Sequence, residues 1–116
     1  MDEQAMELAM TIVAQAGDAR SSCMEAIAFA KKGQFEQAEQ TLQQARSSLS
    51  AVHEIQTDLI RAEMEQKPVD LTLLMVHAQD HLTMATLMYD LAKEFCSLYQ
   101  VLDCLLYTSP SPRDES

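Results

Sequence analysis

The chain has very few places to turn. It holds only two glycines and three prolines, and two of those prolines, Pro110 and Pro112, sit at its far end. Glycine and proline are the strongest local punctuation a sequence carries. A chain so poor in both, and rich in the good helix formers Ala, Gln, Met, Leu and Glu, is committed to long helices. The 116 residues suffice for one modest core, so the expected fold is a single all-α domain.

Hydrophobic spacing divides the chain into three segments. The first runs from about Asp2 to Lys32, where Met6, Met10, Val13, Ala14, Cys23, Met24, Ile27 and Ala28 recur at helical intervals. Gly17 interrupts it at a cost of about 1 kcal/mol relative to alanine, and is read as permitting a bend or the close approach of a neighbour. Two lysines and then Gly33 form a helix stop.

The second segment starts at Gln34 or Phe35 and reaches about Glu65. Its stripe is Phe35, Ala38, Leu42, Ala45, Leu49, Val52, Gln56, Leu59 and Ile60. Pro68 breaks the pattern, because it lacks an N–H and disfavours helix at Lys67. Asp70 is the expected cap of a third helix from Leu71 to about Leu102, with Leu74, His77, His81, Met84, Met88, Leu91, Phe95, Leu98 and Leu102 on one face. Short connections between long helices predict an antiparallel three-helix bundle. Apolar faces this broad exceed what one such bundle buries, which predicts self-association.

The formal net charge is −10 and argues against nucleic acid and anionic membranes, both of which select for Lys and Arg. The apolar runs are too short to span a bilayer, and the acidic N-terminus lacks a signal peptide's basic region. Three widely spaced cysteines, Cys23, Cys96 and Cys104, make neither a disulfide framework nor a CxxC zinc site. A cytoplasmic location is expected. The stretch "CLLYTSPSPRDES" departs from the helical pattern and resembles one frame of a transposase-type sequencing adapter read through as coding sequence. The domain is therefore taken as residues 1–103, and 104–116 as a non-native, disordered tail; a genuine Ser/Pro tail is the alternative.

The chemistry lies in "VHAQDH", residues 76–81. On a helix, His77, Asp80 and His81 share a face, while Ala78 and Gln79 turn aside. One reading is a pair of core histidines satisfied by hydrogen bonds, with Asp80 pairing one of them; a buried Asp80 would require a cation, a donor or water. A second is a metal site, since an i, i+4 histidine pair can chelate zinc, although the HExxH glutamate and any third ligand motif are missing. A third is a nucleophilic histidine that carries a phosphoryl group, with a second histidine to orient it.

The segment "LMVHAQDHLTMATLM" (74–88) resembles the enzyme IIA component of the lactose/cellobiose (diacetylchitobiose) family of the bacterial sugar phosphotransferase system. So do "IVAQAGDARSSCMEAIAFAKKGQFEQAE" (12–39) and "AVHEIQTDLI" (51–60), in the same order along residues 6–102. The resemblance implies a three-helix subunit that trimerises into a nine-helix bundle. It implies that His77 is the phosphorylated histidine, loaded by the phosphocarrier HPr and discharged to a cysteine of the cognate IIB protein, which serves the membrane component IIC. It also implies that Asp80 meets its copies around a divalent cation, of the magnesium type, at the trimer axis, and that His81 and Gln79 line or support the site. The family usually closes its third helix just after the "SLYQ" region, where this chain continues into "VLDCLLYTSPSPRDES".

Other features have plainer readings. His53 is expected to be packed or half-exposed. The stretch "GDARS" offers a packing glycine and an Asp18–Arg20 surface pair. Cys23 and Cys96 lie within helices and are not phosphocysteine candidates, and the eight methionines are mostly core filler. Two rival classes are a non-catalytic helical binding module, suggested by a tetratricopeptide-like hairpin at residues 28–45 that has no second copy, and a metal-binding helical bundle.

Overall fold

Each helix ends in a local device that the backbone makes explicit. The computed structural model describes residues 3–69 and 71–108, and contains α1 (Glu3–Lys31), α2 (Phe35–Met64) and α3 (Leu73–Thr108). Gly33 adopts a left-handed φ of 77°. Its N–H donates to the Ala30 carbonyl at 3.0 Å, and the Gln34 N–H donates to the Phe29 carbonyl at 2.9 Å. This is a Schellman closure, in which the first two residues past the helix satisfy its orphan carbonyls.

The end of α2 repeats the same pair of bonds without a glycine. Gln66 takes a φ of 61° and donates to Glu63, while Lys67 donates to Ala62. The helix therefore ends at Met64, closed by Gln66 and Lys67 ahead of Pro68. The start of α3 is capped by Thr72, whose Oγ1 accepts the Met75 N–H at 3.1 Å. The expected cap, Asp70, lies outside the described residues, as do residues 109–116. Past Leu102, α3 continues to Thr108, beyond both the expected end of the helix and the expected domain boundary at residue 103.

The described residues contain no strand, and the all-α, three-helix expectation holds. α1 packs along both other helices, which touch each other less. The core stripes, however, differ from those expected in two of the three helices. In α1 the buried residues are Ala9, Ile12, Ala16, Ala19, Cys23, Ala26 and Ala30, while Met6, Met10 and Met24 stand exposed. In α3 the buried stripe is Met75, Ala78, Leu82, Ala85, Ala92 and Cys96, one residue along from the expected one. α2 follows expectation closely, with Ala38, Leu42, Ala45, Leu49 and Val52 buried; Ile60 is exposed. Buried Thr41 returns its hydroxyl to the Gln37 carbonyl at 2.8 Å.

The reason is the size of the contact. Both stripes on α3 alternate three- and four-residue steps, so periodicity admits either. Helices approach closely where the facing side chains are small. Alanines dominate the buried positions of both α1 and α3, and apart from Met75 and Leu82 the larger Met and Leu residues of these helices fall outside that seam. Gly17 plays no part in it. α1 runs through it as regular helix, and a Cβ built there would meet nothing within 4 Å. Nor do Asp18 and Arg20 pair: the ion pairs among the described residues are Arg61–Asp58 and Lys67–Glu65. Residues two apart on a helix point to different sides.

Candidate functional site

The site is built on the first turns of α3. Thr72 fixes where that helix begins, and His77 and His81 then follow one turn apart. Their Nε2 atoms lie 3.0 Å apart, with ring centroids 4.5 Å apart and planes at 79°. This is a hydrogen bond between two imidazoles, so one nitrogen carries the proton and the other presents its lone pair. His77 is exposed and His81 half-buried. They belong to the outer stripe of α3 rather than to the core seam.

Asp80 is exposed as well, and makes no ion pair among the described residues. The buried, partner-seeking carboxylate is therefore absent from the single chain. Asp80 falls on the side of α3 turned away from the core, in the sector of exposed Val76, Met84, Leu87 and Leu91. A carboxylate is the donor a hard cation such as Mg²⁺ takes. One chain supplies a single carboxylate there, and no group of three or more His, Cys, Asp or Glu side chains among the described residues could hold a metal.

Gln79 turns away from the histidines. Its Oε1 accepts from Gln56 Nε2 on α2 at 2.7 Å, and its Nε2 lies 3.8 Å from Met75 Sδ. The bond pins the first turns of α3 to α2 at the level of His77. Gln56 was legible as a polar residue on a core stripe, but its partner was not. His53 is exposed on α2, with Nε2 3.5 Å from Thr86 Oγ1 on α3. It lies outside the His77–His81 pair.

Burial pushes the Cys23 thiol up to about 11, and nearby Cys96 adds to the shift. Cys96 is raised too, by burial first and then by Glu39. Both thiols are therefore held protonated, the opposite of what a phosphoryl-accepting cysteine needs.

What stands beside these helices in other proteins is informative. The chain matches the family described as PTS system, lactose/cellobiose-specific IIA subunit, over residues 7–100. It is 45% identical over 100 residues to the lichenan-specific phosphotransferase enzyme IIA component of Bacillus subtilis, covering 86% of this chain and 91% of that one. It superposes on the cellobiose-specific enzyme IIA of Bacillus anthracis with a TM-score of 0.85 and 35% identity, covering 90% of this chain and 95% of that one. The IIA(Chitobiose) structure solved in complex with HPr, from Escherichia coli, matches with a TM-score of 0.76 and 32% identity, covering 88% of this chain and 99% of that one.

Proposed function

The chain belongs to the lactose/cellobiose-specific IIA family of the sugar phosphotransferase system, and from that membership we propose that it is a phosphocarrier charged on His77. The observation that carries the proposal is the exposed His77 imidazole, bonded at 3.0 Å to a second imidazole. A lone pair on His77 attacks the phosphorus of phospho-HPr. The N–P bond of the donor breaks, and its electron pair returns to the HPr imidazole. In the second transfer a thiolate of the cognate IIB protein attacks the same phosphorus, the His77 N–P bond breaks, and His77 is regenerated.

His81 has two jobs in this scheme. As donor to His77 Nε2 it holds His77 in the tautomer that leaves that nitrogen unprotonated; the bond opens for the attack, and after transfer the His81 N–H turns to the phosphoryl oxygens. The helix adds to this. Side chains on a helix lean toward its N-terminus, and the partial positive charge of the first turn of α3 favours a phosphoryl dianion there. Gln79 acts as a positioning residue through Gln56. The HPr partnership is supported by the related IIA(Chitobiose)–HPr complex.

We assign the part of the outer stripe of α3 beyond the histidine pair, from Met84 to Leu102, to contact between copies of the chain, in a trimer. Seven large apolar residues from Met84 to Leu102 remain about half exposed in the single chain (Met84, Leu87, Leu91, Phe95, Leu98, Val101 and Leu102). Asp80 lies in the same sector, and its copies would meet where a Mg²⁺-type cation could hold them; that cation would serve assembly. No helix among the described residues is long and apolar enough to cross a membrane, and the carrier is proposed to work in the cytoplasm.

The test is intact mass after incubation with phosphoenolpyruvate, enzyme I and HPr. One acid-labile phosphate on the parent, absent from His77→Ala, is expected. A parent that stays unmodified beside several HPr partners, or a His77→Ala chain that is still modified, overturns the assignment.

A further inference from the structure

The histidine pair has a second chemical capacity, independent of phosphorus. Two ligands held at about 2.05 Å from a tetrahedral zinc ion sit roughly 3.3 Å apart. The His77 and His81 Nε2 atoms are already 3.0 Å apart. An opening of a few tenths of an ångström, with a small rotation of each ring, turns the shared hydrogen bond into a two-ligand bite. The exposure of His77 leaves room for that rotation and for water in the remaining coordination positions.

We propose that His77 and His81 together bind a borderline transition-metal dication of the Zn²⁺ class, and that the bound ion blocks phosphoryl transfer. The blocking half rests on the phosphocarrier reading; the binding half does not. The site is of a different kind from the carboxylate of Asp80. Imidazole nitrogen suits Zn²⁺, Cu²⁺ and Ni²⁺, whereas Mg²⁺ takes oxygen. Among the described residues no further His, Cys, Asp or Glu completes a closed set, so the site is open and exchangeable. The metal and the phosphoryl group compete for the same nitrogen lone pair, so each excludes the other.

Zinc binding is measured on the full chain by titration calorimetry, with the imidazole nitrogen resonances followed by NMR. The expected result is that the Nε2 resonances of His77 and His81 move together. Half-saturation should rise roughly tenfold or more in His81→Gln, since even outer-shell partners of a metal cost that much. His53→Gln should bind as the parent does. Unchanged binding in His81→Gln, or resonance shifts confined to His53, overturns the site. Zn²⁺ should also slow phosphorylation of the parent by HPr, reversibly on chelation, while phospho-HPr forms at its usual rate in the same zinc. Normal phosphorylation at saturating zinc overturns the blocking. A chain that takes zinc at both histidines, yet is never phosphorylated in chelator, overturns the carrier assignment and leaves the metal site standing.

Discussion

Replacing Leu91 by Gln separates the two stripes of α3. Leu91 is 47% exposed in the single chain, so its replacement should cost the fold of the subunit little. Full burial of a leucine side chain is worth about 1.5–3 kcal/mol, and the half still exposed therefore contributes about 1 kcal/mol when a second copy covers it. In a trimer all three copies lose that contribution. Association weakens by about 3 kcal/mol, or roughly a hundredfold in the association constant. Leu82→Ala is the contrasting variant. Leu82 is 1% exposed, and its truncation should cost about 3 kcal/mol of subunit stability through lost burial and the cavity left behind. Sedimentation equilibrium over a concentration series reads the first effect, and helicity under denaturant, at concentrations where both proteins are dissociated, reads the second. If Leu91→Gln associates as the parent does, or unfolds as early as Leu82→Ala when dissociated, the outer stripe is not a contact between copies.

The two Schellman closures should respond in opposite directions. Gly33→Ala forces a Cβ into a left-handed φ of 77° and should destabilise by about 1 kcal/mol, whereas Gln66→Gly relieves the same strain at φ 61° and should stabilise by a similar amount; chemical denaturation reads both. Thr72→Ala removes the acceptor for the Met75 N–H and should cost about 1 kcal/mol, with hydrogen exchange accelerated at the start of α3. The raised Cys23 thiol gives an alkaline limit. A thiol whose folded value exceeds its unfolded one contributes stability that is complete below the unfolded value of 9.0 and is lost as pH rises toward about 11. Stability measured from pH 8 to 11 should fall, and Cys23→Ala should flatten the fall. At neutral pH an alkylating reagent should modify exposed Cys104 well before Cys23 or Cys96.

The number of helices and the place of the turns between them were legible in the sequence, because Gly33 and Pro68 act through backbone sterics that need no tertiary context; the closure at Gln66 was not, since nothing in a glutamine marks a left-handed φ. The HAQDH spacing was legible for the same reason: residues three and four apart on a helix must share a face wherever that helix lies. α2 was legible in its packing as well, since it carries a single apolar stripe and hence one way to bury it.

α1 and α3 carry two stripes each, and only the tertiary structure chose between them. Periodicity measures where apolar residues fall around a helix; it does not measure how near the next helix can come. Ala9, Ala16, Ala19 and Ala26 on α1, with Ala78, Ala85 and Ala92 on α3, are weak signals of hydrophobicity, yet they are buried to within 1%. Their lack of bulk lets the two helices close on each other. That choice puts most of the methionines and leucines of α1 and α3 outside, and it turns His77 and Asp80 from expected core residues into surface groups and leaves His81 half-buried. The residues of the site were written in the sequence. Their accessibility, on which any exchange with a partner depends, was decided by which stripe was small enough to pack.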